Sequence, residues 1–110
     1  NAEADNVLYA IKLSKEWEKT LEEHLERTAL GYVLIMESEQ IVEFVRAITE
    51  KLEVAQECVG RQAVILCAPK NRLPIYKLLK RHIPTVVVLS YLEIADTIKV
   101  ETVATIGEEE

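Results

Sequence analysis

The chemistry this chain could carry out would begin at Cys67. The run Leu66-Cys67-Ala68-Pro69-Lys70-Asn71-Arg72 sets a thiol at the end of an apolar segment and just ahead of a helical pattern. A cysteine beside a helix N-terminus has a lowered pKa and makes a nucleophile. Cysteine phosphatases and phosphocysteine carriers use that arrangement, with loops of Gly, Ser and Thr whose backbone N–H groups cradle a phosphate. This loop has no glycine, Pro69 removes one donor, and Arg72 falls one residue short of the phosphatase C-x₅-R spacing. A small thiol or phosphoryl-transfer enzyme built on Cys67 is therefore the alternative reading, and a non-catalytic domain the leading one.

Other nucleophiles and ligands are scattered. With only Gly31, Gly60 and Gly107 in the chain, neither a dinucleotide loop nor a Walker loop can be built. His24 lies beside the apolar stripe of the first helix and reads as solvent-facing, His82 falls in the last turn of a helix, and no third group is placed near either, so a triad is unsupported. Cys58 and Cys67 form no C-x-x-C and have no matching histidines, which speaks against structural zinc and a disulfide framework. Both are expected to pack as small hydrophobes. No cofactor is expected. A regulatory α/β module would need a phosphorylatable group at a strand end; Ser90 and Asp96 are the candidates, and neither sits in an acidic pocket motif.

A binding surface is easier to read than a reaction. No acidic residue occurs between Glu57 and Glu93, whereas Arg61, Lys70, Arg72, Lys77, Lys80 and Arg81 all fall there. Lys70, Arg72, Lys77, Lys80 and Arg81 are the candidate partner contacts. The whole chain carries a formal charge of −6, and the basic stretch holds no stacking aromatics, so nucleic acid is not an expected partner.

These residues must be positioned by a fold that 110 residues can build as one domain. Val7, Tyr9, Ile11 and Leu13 alternate as a strand, and Ser14 caps a helix bearing Trp17, Leu21, Leu25 and Ala29 up to Gly31. Tyr32–Met36 reads as a second strand. Ser38 opens a long helix with the stripe Ile41, Phe44, Val45, Ile48, Leu52 and Ala55, and Gly60 stops it. Ala63–Ala68 and Thr85–Leu89 are continuously apolar, as in strands covered on both faces. Pro74 places the start of the intervening helix near Arg72, and Pro84 ends it. Ser90-Tyr91-Leu92-Glu93 fits a capping box, and a last strand runs from Ile98 to Ile106 with a bulge near Thr102.

The result is an α/β domain over residues 7–107, a mostly parallel sheet of four to five strands with three helices packed on it, in the order β-α-β-α-β-α-β-β. Residues 1–6 read as a cut or processed end and 108–110 as an acidic tail, suggesting a piece of a longer polypeptide. No apolar run reaches the ~20 residues that span a bilayer.

The C-terminal half resembles a known family. Ala63-Val64-Ile65-Leu66-Cys67-Ala68-Pro69, Arg72, Leu78-Leu79, Arg81, Ile83-Pro84, Val88-Leu89-Ser90-Tyr91-Leu92-Glu93-Ile94 and Val103-Ala104-Thr105-Ile106-Gly107 are similar to the end of the type III secretion export-gate membrane protein of flagella and injectisomes. Ile11 to Leu21 resembles that family's strand-to-helix entry, with Ser14-Lys15 where the family carries an acidic residue and proline. The resemblance implies the last cytoplasmic subdomain of a membrane-anchored parent, at the cytoplasmic face of the bacterial inner membrane. It implies a non-enzymatic scaffold in a ring of identical subunits. That ring receives export chaperones, secreted substrates and components of the export ATPase complex. Ser90, Glu93 and Pro84 carry the structural motif of the match.

Overall fold

The computed structural model describes residues 6–107, so the expectations for residues 1–5 and for the acidic tail 108–110 lie outside the described residues. Strand β1 (Val7–Leu13) leads into helix α1 (Lys15–Glu23). Ser14 caps α1 as its spacing requires, its hydroxyl accepting from Trp17 N at 3.1 Å. The helix ends earlier than the stripe suggests. Leu25–Thr28 is strand β2, paired antiparallel with β3 (Gly31–Leu34), and Leu25 and Ala29 are not helical. Thr28 organises the turn: its hydroxyl donates to Gly31 O at 2.7 Å and accepts from Leu30 N at 3.1 Å. Gly31, with φ of 111°, is a hairpin residue and not a helix stop.

Helix α2 (Ser38–Val59) opens at Ser38, as expected. Glu37 is the N-cap, and Gln40 Oε1 accepts from Glu37 N at 3.0 Å. Gly60, at φ of 71°, closes it in the left-handed conformation. Strand β4 (Val64–Cys67) is buried throughout. Helix α3 (Pro69–Lys80) begins earlier than Pro74 implied, with Pro69 in its first turn and Pro74 inside it. Strand β5 (Val88–Ser90) is shorter than the apolar run that announced it. A 3₁₀ turn (Tyr91–Glu93) follows, then β6 (Lys99–Ile106).

Four strands form one parallel sheet in the order β5-β4-β1-β6, and β2 and β3 form a separate pair, so Tyr32–Met36 contributes no strand to the main sheet. The expected class, an α/β fold with three helices on a parallel sheet, is the one observed. The register of β6 against β1 jumps from Thr102 to Ala104 while β1 moves from Ala10 to Ile11. Val103 is thus the extra residue of a bulge, one position from where the alternation slips.

Chain handedness divides the sheet's two faces. The steps from β1 to β4 and from β4 to β5 move in one direction, and right-handed crossovers put all three helices on one face. There Ile11, Leu13, Ile65, Cys67, Val88 and Ile106 meet Leu21, Phe44, Ile48, Ala55, Ile75 and Leu79. The step from β5 to β6 runs back across the sheet, so the same rule sends it over the opposite face. Residues 91–98 make that crossing, and Ile94 packs on the second cluster, Ala10, Val64 and Leu66. Trp17 anchors α1 to α2, its ring centroid 5.0 Å from that of Phe44.

Candidate functional site

In an open α/β sheet, ligands sit beyond the carboxyl ends of the strands, at helix N-termini and where the winding reverses. Two such places exist here; the chain's own carboxylate occupies the first, and Trp17 borders the second.

The first is the end of β4, where Cys67 meets α3. Helix α3 has Ala68 as its N-cap, which offers no side-chain acceptor. The acceptor comes from α1 instead. Glu18 Oε2 accepts from Ala68 N at 3.2 Å, and Glu18 Oε1 accepts from Asn71 Nδ2 at 2.8 Å. A carboxylate therefore fills the anion position at the positive end of α3. Asn71 is fully buried in the third position of the helix, and its Oδ1 has no partner. The amide orientation follows from Glu18, since only the NH₂ can face a carboxylate.

Cys67 is fully buried, with Sγ 3.8 Å from Leu89 O. Burial pushes its thiol up to about 12, the Glu18 carboxylate adds to the rise, and Arg72 opposes it. The helix N-terminus that would create a thiolate is neutralised by the plug. At neutral pH this sulfur is a protonated thiol facing the core. Tyr91, nearby, is also raised, by burial first and then by Glu18 and Cys67. Cys58, expected to pack in the core, is instead exposed on α2, because it falls outside the stripe that faces the sheet.

The second place is the switch point between β1 and β6. Ser14 N donates to Ile106 O at 3.0 Å, tying the strand ends together. Gly107 follows at φ of 89°, and a Cβ there would overlap Trp17 Cδ1 and come within 2.7 Å of Ser14 Oγ. The indole packs against Gly107 at this junction, and a cavity of about 280 Å³ opens there, lined by Trp17 and Gly107 together with Glu16, Thr20, Met36, Gln40 and Glu43.

The candidate contact residues separate into two groups. Arg72 turns inward. Its Nε lies 3.5 Å from Glu93 Oε2 and its Nη1 donates to Val88 O at 3.4 Å, while Glu93 Oε1 accepts from Ser90 N at 2.7 Å. Arg72, Ser90 and Glu93 thus form one network that ties α3 to the turn after β5. Lys70, Lys77, Lys80 and Arg81 face outward, exposed, and among the described residues none is paired with a carboxylate. Lys70 lies over the Tyr32 ring at 5.3 Å and Lys80 over Tyr76 at 5.5 Å. Pro84 is exposed beyond α3, and His82 is exposed just past the helix end instead of in its last turn. His24 caps α1 and is half-buried, Nδ1 2.7 Å from Thr20 O, where the sequence suggested a solvent-facing ring. Asp96 is exposed in the 91–98 crossing, and Ser90 is buried.

Glu18 and Asn71 are the residues that sequence reasoning missed. Glu18 reads as a first-turn acid serving its own helix, whereas its acceptors are spent on a helix 50 residues away. The available signal was the missing cap: a helix that begins Ala68-Pro69 has no Ser, Thr, Asp or Asn to satisfy its first amides.

A family model described as the FHIPEP family matches residues 1–99. The flagellar biosynthesis protein FlhA of Bacillus subtilis (strain 168) is 32% identical over 108 residues, 96% of this chain and 15% of that protein. The nonameric SctV-C structure from EPEC superposes with a TM-score of 0.78 at 21% identity, covering 94% of this chain and 30% of that one. The Chlamydia pneumoniae CdsV and CdsO complex gives a TM-score of 0.77 at 20% identity, with 94% and 30% covered. The chain thus spans a minor part of each relative's length. On the family match and its coverage, the chain belongs to the FHIPEP family, the export-gate proteins of type III secretion.

Proposed function

We propose that residues 7–107 are a non-catalytic, protein-binding subdomain of a type III export gate, the last of the parent's cytoplasmic region. In this reading it helps form a ring of identical subunits at the cytoplasmic face of the inner membrane. That ring receives chaperone–substrate complexes and components of the export ATPase complex. The parent chain carries the membrane anchor; among the described residues no helix is long and apolar enough to cross a bilayer.

The observation that carries the non-catalytic reading is the Glu18 plug. Its carboxylate fills the anion position of α3 beside the fully buried Cys67 thiol, which favours the outer surface as the place to meet partners. The exposed cations Lys70, Lys77 and Lys80 of α3 and Arg81 at its end, with no carboxylate partner among the described residues, support a contact role for that surface. The relatives' own assemblies support the setting: SctV-C is a nonamer, and CdsV is seen with CdsO.

Complementation of a strain lacking the parent gene tests this. Export is expected to persist with Cys67→Ala, and to fall with Lys77→Glu/Lys80→Glu/Arg81→Glu at an unchanged melting temperature. Loss of export in a stably folded Cys67→Ala protein would overturn the non-catalytic reading. Full export by the triple variant would remove the basic surface from the account.

A further inference from the structure

The hairpin and α3 do not merely touch; they enclose a groove. Lys70, Pro74, Lys77, Leu78 and Arg81 follow one another at helical spacing along one stripe of α3. At ~1.5 Å per residue the stripe is roughly 16 Å long. Strand β3 forms the opposite wall. At the groove's middle, Val33, Leu34, Pro74 and Leu78 line a cleft of about 130 Å³ that Lys77 and Arg81 flank. At one end, Tyr32 carries Lys70 on its ring at 5.3 Å and Arg27 at 5.9 Å. Leu30, 90% exposed at the hairpin tip, extends the apolar strip outward.

The composition of this groove identifies its occupant. An apolar slot with room for about one aliphatic side chain is bracketed by cations that have no carboxylate of their own among the described residues. An anionic segment with a single apolar anchor satisfies both features at once. The anchor removes the slot from water, and carboxylates on either side approach Lys70 and Arg27 at one end and Lys77 and Arg81 at the other. Nucleic acid fits less well. The cations cover only the length of a short helix on a body of net charge −6, and the one aromatic face in the groove already holds two cations.

We propose that the groove between β3 and α3 binds an acidic peptide segment of a partner protein, in which one aliphatic residue is flanked on both sides by Asp or Glu. The proposal deepens the protein-binding reading above and rests on it.

The test uses the 110-residue chain and a fluorescent dodecapeptide with one leucine between two pairs of glutamates. Comparison peptides carry Leu→Ser, or lysines in place of the glutamates. Amide shifts on titration are expected for residues 30–34 and 70–81 and not for α2. Binding should weaken at least tenfold with Lys77→Glu/Arg81→Glu and at least fivefold with the serine peptide, and should fall as salt rises. Binding of the lysine peptide as well as the acidic one would overturn it. So would shifts centred elsewhere, indifference to Lys77→Glu/Arg81→Glu, or a response only to phosphatidylglycerol vesicles. Because no export machinery is present, failure here is distinguishable from failure of the secretion experiment.

Discussion

Glu18 connects two helices that are remote in sequence. A charged acceptor costs solvation when it is drawn from water, and here two donors offset that cost, one of them on a fully buried side chain. Removing it leaves the half-buried Ala68 amide and the NH₂ of the fully buried Asn71 without their partner. Glu18→Ala is therefore expected to destabilise the chain by about 2–3 kcal/mol, and Glu18→Gln, which keeps one acceptor oxygen, by about 1 kcal/mol. Urea denaturation of the three proteins checks the order; equal stability would show that the plug is not a plug. Little of this was legible beforehand. Cys67 and Arg72 stand out by type and spacing, but what disarms the cysteine is a residue whose partner depends on the packing of α1 against α3. Spacing along a chain reports neighbours on one helix and is silent about neighbours across two.

At the level of elements, periodicity served where burial enforces it. The stripe of α2, the buried run of β4 and the cap at Ser14 are each dictated by one local requirement, and each is found. The hairpin was hidden for the converse reason. Leu25-Glu26-Arg27-Thr28-Ala29-Leu30 is rich in good helix formers, and the fourth-residue recurrence of Leu21, Leu25 and Ala29 continues the α1 pattern. Pairing with Gly31–Leu34 and the hydroxyl of Thr28 override that preference, and local propensity is weak enough to be overridden. The basic surface was likewise readable as a charge bias, but its groove was not, because the second wall is the unforeseen hairpin.

The junction of β6 with α1 gives a sharper test. Gly107 has a left-handed φ and presses on the chain's one tryptophan. Gly107→Ala adds both backbone strain and overlap with the indole, so a loss of about 2 kcal/mol is expected. The tryptophan emission of the folded variant should shift to longer wavelength as the ring is pushed outward. An unshifted spectrum with unchanged stability would mean that the indole does not pack against Gly107.

For the molecule as a whole, one handedness rule and one sheet order explain which faces of the sheet are covered. Three helices cover one face, the 91–98 crossing covers the other, and Glu18 occupies the carboxyl end of β4. Under the proposed function the exterior, above all the hairpin and α3, meets partners. The sequence-level resemblance and the family match agree on an export-gate chain.

The thiols report on the non-catalytic reading directly. The folded state holds Cys67 protonated up to about 12, above its ordinary value of 9.0. Its contribution to stability is therefore complete below pH 9.0 and is lost as pH rises from there toward about 12. At pH 7.5 the expected result of timed iodoacetamide labelling, read by mass spectrometry, is rapid modification of exposed Cys58 and none of Cys67 until urea unfolds the chain. Labelling of Cys67 in the folded protein at a rate equal to or above that of Cys58 would reveal an accessible thiolate. It would contradict the claim that this domain works through its surface.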